Sequence, residues 1–202
     1  MIYIEDYIGN FTEKFGSDVI PWLWIADIES LIESKIESLS SEDYFIENNI
    51  AIHKTAVVET NVTIKGPAMI NKNCFIGSGS YLRGGIYLGN NVKIGTNCEV
   101  KKSVIFNDSA IAHFNFIGDS IIGSHVNFEA GSITANHYNE RLDKDILVKV
   151  NQEIINTKTS KFGALVGDFS KVGANAVLSP GTILKPKSII KRLELVEQVP
   201  EN

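Results

Sequence analysis

The residues that could do chemistry concentrate in one stretch, AHFNFIGDSIIGSHVNFEAGSITANHYNE, residues 112–140. His113, Asn115, Asn127, Asn136 and His137 crowd into it among aliphatic residues. Imidazole ionises near neutrality, so a positioned histidine is suited to moving a proton. Upstream stand Arg83, in YLRGG, and Lys101, in EVKK, 18 positions apart. If the fold stacks them, they form a two-cation patch suited to a phosphate. Taken singly, each of these residues has a plainer reading, a turn histidine or a solvated charge. The elements that carry them decide between the two.

Those elements are set by a six-residue repeat. Ile52, Val58, Ile64, Ile70, Ile76, Leu82, Leu88, Ile94 and Val100 recur at every sixth position. After one shortened step the series resumes at Ile105, Ile111 and Ile117, and after another at Ile122 and Phe128. It returns as Val166, Val172, Leu178, Leu184 and Ile190. Gly often follows the aliphatic residue, and a small or β-branched residue sits four places after it, as at Ala68, Cys74, Ser80 and Cys98. A 3.6-residue helical period drifts off this spacing within a few repeats. Short strands joined by tight turns keep it, with three hexads closing a triangular coil and stacked coils burying the aliphatics. The expected fold is all-β, a single-stranded parallel β-helix of hexapeptide repeats with an N-terminal α-helical cap. Coils of 18 residues place Arg83 and Lys101 one above the other.

In chain order, residues 1–50 lie outside the repeat. Tyr7, Ile8, Phe11 and Phe15 have helical spacing, Ser17-Asp18 reads as a cap, and Ile25, Ile28, Leu31, Ile32 and Ile36 form one apolar stripe. The expectation is a helical cap over the open end of the β-helix, where core side chains and strand edges would otherwise be bare. The β-helix is expected over 51–192, in four to five coils up to residue 136 and about one and a half from 163 to 191. Between them, about 137–162 breaks the repeat as a polar arm, with a short hairpin about Asn151-Gln152. Excursions of that length from a compact coil are usually functional. Residues 193–202 are a tail, readable as strand or helix.

Composition narrows the function classes. The chain has 202 residues, 44% hydrophobic, with a formal net charge of −5. This gives no basic face for nucleic acid. No run approaches the ~18 apolar residues of a membrane span, and MIYIEDYIGN lacks the basic start and apolar run of a secretory signal. The expected setting is cytoplasmic. Cys74 and Cys98 occupy the small-residue position of their hexads and read as buried small hydrophobes rather than a disulfide or metal pair. A metal-dependent β-helix enzyme of the γ-class carbonic anhydrase type should carry a His-x4-His pair plus a third histidine. His113, His125 and His137 follow at intervals of 12, so no metal is expected. His53, His125 and His137 read as turn residues.

From Leu82 to Pro180 the chain resembles the acetyltransferase domain of the bifunctional glucosamine-1-phosphate acetyltransferase/N-acetylglucosamine-1-phosphate uridylyltransferase family, especially its archaeal sugar-phosphate versions. The resemblance rests on LRGG at Arg83, EVKK at Lys101, AHFNFIGDSIIGSHVNFEAG, ITAN ending at Asn136, and KFGALVGD from Lys161, in matching order and spacing. The first 50 residues are too few for that family's uridylyltransferase domain and lack its nucleotide loop. The resemblance implies a left-handed coil, whereas ordinary crossover rules favour the opposite hand. It also implies a homotrimer with pockets in the clefts between prisms, and an acyl-CoA-dependent N-acetyltransferase acting on an amino-sugar phosphate of the glucosamine-1-phosphate type. Acetyl-CoA is then the co-substrate, with direct transfer and no metal.

By the same resemblance His113 is the general base, and Asn136 orients the amine or the thioester. The backbone N–H of Ala174 meets the oxyanion, and Ala130, Gly173 and Ala174 hold acetyl-CoA. Arg83, Lys101, Phe116, Asn127 and Lys161 hold the sugar phosphate. Phe116 stands where the family commonly has Tyr, so a hydroxyl contact to substrate is lost. Two other readings stay open. One is a non-catalytic trimer that binds sugar phosphates or nucleotide sugars, for which Phe116 speaks. The other is an acyl-carrier-protein-dependent acyltransferase on a nucleotide sugar, which would want a longer helical C-terminal domain than the dozen residues after Ile190.

Overall fold

The structure is a computed structural model that describes residues 2–17 and 19–200. Asp18, half of the expected Ser17-Asp18 cap, lies outside them. Three parallel faces wind around one interior. The second face is the most regular, seven two-residue strands from Val57–Val58 and Phe75–Ile76 to Lys171–Val172 and Ile189–Ile190. Along it the second residue of each pair turns inward, so that Ile76, Ile94, Ile111, Phe128 and Val172 are buried. The first residue, as at Lys93, Asn127 and Lys171, faces out. Pleating thus separates a buried apolar row from an outward row of mixed character. The first and third faces are joined into one sheet because Tyr81–Leu88 and Glu99–Ile105 run around the corner between them. The turn is made at an irregularity between Arg83 and Ile86.

The interior is the ladder of repeat aliphatics. Ile70, Ile76, Leu82, Leu88, Ile94, Val100, Ile105, Ile111, Ile117 and Ile122 are at most 1% exposed. At about 25 cal/mol per Å² of apolar area removed from water, this ladder is the main source of stability. Cys74 and Cys98 lie free and buried in the same core. Hydroxyls at the small-residue position are satisfied from within. Ser80 Oγ donates to the Gly95 carbonyl at 2.9 Å and Ser109 Oγ to that of Gly123 at 2.7 Å. The coil does not stop at the expected 192. Leu195–Val196 pairs in parallel with Val177–Leu178, so two full coils follow the arm. Val196 lies six residues after Ile190, one more step of the same repeat.

The N-terminal segment forms three short helices, α1 (Phe11–Phe15), α2 (Pro21–Ala26) and α3 (Ile28–Glu37). They do not lie over the end of the prism, as the cap expectation had it. They pack on the outer side of the first face. Phe11, Trp22, Ile25, Ile28 and Ile32 share a second core with Met69, Tyr87, Val104, Phe106, Ile121 and Leu165, the outward residues of that face. The physical reason is that this face carries an unbroken row of large apolar side chains on its outer surface, Met69, Tyr87, Val104, Ile121 and Leu165 on successive rungs. The arm joins the same core through Tyr138, Ile146, Val148, Val150 and Phe162, and its hairpin pairs Leu147–Val150 with Glu153–Asn156. The free edge of the first coil is covered by a strand, Tyr44–Glu47, paired antiparallel with Ile50–His53. The first face is therefore clothed, and the second and third remain open. Among the described residues no helix is long and apolar enough to cross a membrane.

Candidate active site

The candidate residues fall into two groups, on opposite sides of the third face. The first gathers where that face turns into the first. Arg83 pairs with Lys101 on the next strand, and Lys101 pairs with Gly118 on the one after. Both cations are countered from within. Arg83 donates to Glu99 Oε1 through Nε at 2.9 Å and through a terminal nitrogen at 2.6 Å. Lys101 Nζ lies 2.9 Å from Asp119 Oδ2. The carboxamide Nδ2 of Asn136 donates to that same oxygen, and Asn136 Oδ1 lies 3.1 Å from His137 Nδ1. Asp119 is only 3% exposed, and its Oδ2 accepts both bonds.

Two further candidates border this group. Phe116 lies over Gly118, where a Cβ would come within 2.6 Å of the ring and 3.1 Å of Asn136 Cγ. Glycine at 118 is what lets the ring and the amide share that surface. Lys161, exposed, sits where the arm rejoins the coil, since the next two amides bond into the same corner. Phe162 N–H donates to the Asn136 carbonyl at 3.1 Å and Gly163 N–H to that of Asp119 at 2.9 Å.

The second group lies at the corner between the second and third faces, in stacked turns. His113 is exposed, and its Nδ1 is 3.3 Å from Thr96 Oγ1 on the preceding rung. Its carbonyl accepts from Gly131 N–H at 2.8 Å, and the Ala130 carbonyl accepts from Asn175 N–H at 3.0 Å. His113, Ala130 and Ala174 thus occupy successive turns of one stack. Asn127 faces outward beside them, paired with Ala110 and Lys171. An open groove of about 510 Å³ runs along this corner, lined by Asn127, Glu129, Lys171, Gly173, Lys191 and Arg192. Within one chain, the His113 side chain has no hydrogen bond to Arg83, Lys101 or Asn136 among the described residues.

The backbone donor expected to meet an oxyanion is already engaged. Ala174 N–H donates to Glu129 Oε2 at 2.9 Å, and Arg192 grips the same carboxylate at 2.8 and 2.9 Å. The Arg192 guanidinium first, and the Ala174 amide second, hold the Glu129 carboxyl below the ordinary glutamate range. The anionic oxygen held at this corner is that of Glu129.

Sequence reasoning missed Glu99, Asp119, Glu129 and Arg192. Strand pairing one rung apart could have pointed to Glu99 and Asp119. The arm breaks the period between Glu129 and Ala174 and hid their stacking. Asn115, His125 and His53 have structural partners. Asn115 is buried and its Oδ1 accepts from Ser132 N–H at 2.7 Å. His125 stacks on Phe169 with ring centroids 4.8 Å apart. His53 is buried, with Nδ1 2.9 Å from Thr55 Oγ1. His137, expected as a plain turn residue, touches the site through Asn136. Among the described residues no three His, Cys, Asp or Glu side chains gather as a metal site would require.

Comparison with known proteins bears on the same region. The family model described as "GMPPB C-terminal domain" matches residues 64–159. "Bifunctional protein GlmU" of Methanococcus vannielii is 36% identical over 181 residues, 79% of this chain and 42% of that protein. The "Bifunctional sugar-1-phosphate nucleotidylyltransferase/acetyltransferase" of Sulfurisphaera tokodaii is 34% identical over 155 residues, 67% of this chain and 38% of that protein. The GlmU protein of Picosynechococcus sp. is 35% identical over 156 residues, 76% of this chain and 26% of its own length. The chain thus spans less than half the length of these relatives.

Proposed function

The chain is a hexapeptide-repeat β-helix related to the bifunctional sugar-1-phosphate nucleotidylyltransferase/acetyltransferases, and on that premise we propose that it transfers an acetyl group from acetyl-CoA to the amine of an amino-sugar phosphate, working as a homotrimer. The observation that carries this reading is the cluster of Arg83, Lys101 and Phe116 on adjacent strands, with Asn136 just past the next strand and Lys161 beside it. Two cations and a carboxamide suit a phosphate at one end of a small polar ligand and an amine at the other. An aromatic wall suits the face of a sugar ring.

In the reaction, the sugar amine attacks the thioester carbonyl, and His113 accepts the amine proton as the C–N bond forms. The carbonyl oxygen becomes an oxyanion and takes a hydrogen bond from Ala174 N–H, once Glu129 has vacated that donor. Collapse of the tetrahedral species breaks the C–S bond, and the departing thiolate recovers the proton from the His113 imidazolium. The products are the N-acetyl sugar phosphate and free CoA. A general base of this kind is worth about 10²- to 10⁴-fold, and one oxyanion donor about 3 kcal/mol. In this reading Asn127 serves the sugar, and Ala130 and Gly173 serve acetyl-CoA.

The test is thiol release from acetyl-CoA with a panel of amino-sugar phosphates, for wild type and His113→Ala together. Release is expected with an amino-sugar 1-phosphate, falling at least about 100-fold in the variant. A second reading, a non-catalytic sugar-phosphate-binding trimer, is favoured by the carboxylate seated on Ala174 N–H and by Phe116 in place of Tyr. It prevails if wild type binds sugar phosphates yet releases no thiol with any amine.

A further inference from the structure

Where the arm hairpin lies against the last coil, the two border a groove of about 670 Å³. Four stretches far apart in sequence meet there: Tyr7 from the N-terminal segment, Lys149 and Gln152 from the hairpin, Lys185 from the coil, and Glu197 and Gln198 from the tail. Its floor is apolar, since Ile183 and Leu184 are 6% and 5% exposed. The acceptors of the tail are engaged. Glu197 holds Arg141 at 2.9 Å, and the Gln198 amide takes the Ile183 N–H at 2.8 Å and reaches the Ile183 carbonyl at 2.9 Å. The donors are free. The ammonium groups of Lys149 and Lys185 make no hydrogen bond or ion pair among the described residues. Tyr7 is only 7% exposed, yet its hydroxyl has no partner there either. Burial first, and the Asp6 carboxylate second, push this phenol up, so it stays a neutral donor. Asp6 itself lines an adjoining groove of about 430 Å³, which shares Tyr7, Asn151 and Lys185 with the first. The carboxamides of Asn151 and Gln152, at the hairpin turn, can serve as donor or acceptor.

We propose that this groove is a second small-molecule site, separate from the Arg83 and Lys101 cluster, and that it takes a phosphate monoester with an apolar or aromatic organic part. Two ammonium groups and a hydroxyl match the three terminal oxygens of a phosphate, where a carboxylate offers two. A monoester carries a charge of about −1.5 to −2 at neutral pH, which the two lysines balance. The apolar floor receives the organic part, and the volume is that of an ordinary small-molecule pocket. None of this depends on acetyl transfer. The ligand joins the hairpin, through Lys149, to the coil, through Lys185, and to the N-terminal segment, through Tyr7. Binding therefore fastens the arm to the body of the prism, because the bound state favours the closed arm.

The experiment is calorimetric titration of the full chain with phenyl phosphate, inorganic phosphate and benzoate. Wild type, Tyr7→Phe, the double variant Lys149→Ala/Lys185→Ala, and Arg83→Ala are compared. Wild type is expected to bind phenyl phosphate more tightly than inorganic phosphate, which lacks the organic part, and than benzoate, which lacks the third oxygen. Tyr7→Phe should weaken phenyl phosphate by about 3- to 10-fold, the worth of one hydrogen bond. Its melting temperature should match that of wild type, because the hydroxyl holds nothing in the protein. The double lysine variant should lose more than about 10-fold, and Arg83→Ala should bind as wild type does. Amide hydrogen exchange over the hairpin, residues 147–156, should slow on binding in wild type and not in the double variant. No binding to wild type, or binding that survives both the Tyr7 and the lysine substitutions, would overturn the site. Loss of binding in Arg83→Ala alone would move the phosphate to the other cluster and overturn it as well. Benzoate binding as tightly as phenyl phosphate would overturn the ligand class, and so would inorganic phosphate doing so.

Discussion

At the scale of single residues, the site's state is set by carboxylates that composition and spacing did not single out. Glu129 is the clearest case, because it occupies Ala174 N–H and Arg192 at once. Any acyl donor whose oxyanion is to use that amide must displace it, and the cost appears in the affinity for the donor. Glu129→Ala, which leaves both donors open, should lower KM for acetyl-CoA by about 3- to 10-fold with kcat held or raised. A KM that rises instead would mean that the carboxylate helps to shape the donor site. The candidate residues themselves were legible because chemistry-bearing side chains stand out against a repeat that needs none. Arg83 and Lys101 could even be paired on paper, since 18 residues make one coil, and their strands do pair at those positions. Their counter-charges were harder to see. Asp119 lies just past the strand end, in a corner where the steps before Ile105 and Ile122 are both shortened.

At the scale of elements, the hexads foretold the strands but not where the helices would go. A helix stripe shows that Ile28, Ile32 and Ile36 need cover without saying which surface provides it. The partner was written in the alternate positions of the first face, Met69, Tyr87, Val104 and Ile121. A six-residue period read only for its inward residues passes over these. The tightest point of this docking is Gly85, at φ 87°, where a Cβ would lie 2.8 Å from Ile28 Cγ2. Its neighbour Gly84 has φ 74° but nothing nearer than 3.9 Å. The pair separates backbone strain from packing. Gly84→Ala should cost the conformational penalty alone, about 1 kcal/mol, and Gly85→Ala about 2–4 kcal/mol because α3 must also shift. Denaturant midpoints of the two variants decide this, and equal losses would show that α3 yields without cost.

At the scale of the whole molecule, the clothing of the first face matters for function because it leaves only two faces to meet another prism. The site residues lie on those two faces, divided between corners. His113 precedes the strand Phe116–Gly118, whereas Asn136 follows the strand stacked upon it, Ile133–Thr134. On the proposed reading, a ligand held by Arg83, Lys101 and Asn136 of one chain would be completed by His113 and Ala174 of the next around a three-fold axis. Cyclic symmetry would repeat that heterologous contact three times. This arrangement predicts complementation. His113→Ala and Asn136→Ala should each be nearly inactive alone. Refolded together at equal amounts, they should regain about a quarter of wild-type thiol release, the chance that an intact His113 corner faces an intact Asn136 corner. If each site were built within one chain, every mixed trimer would carry one lesion per site, and mixing would restore nothing. The same samples on a light-scattering column give the assembly state, so a mixture that is trimeric yet silent would refute the divided site and not the trimer.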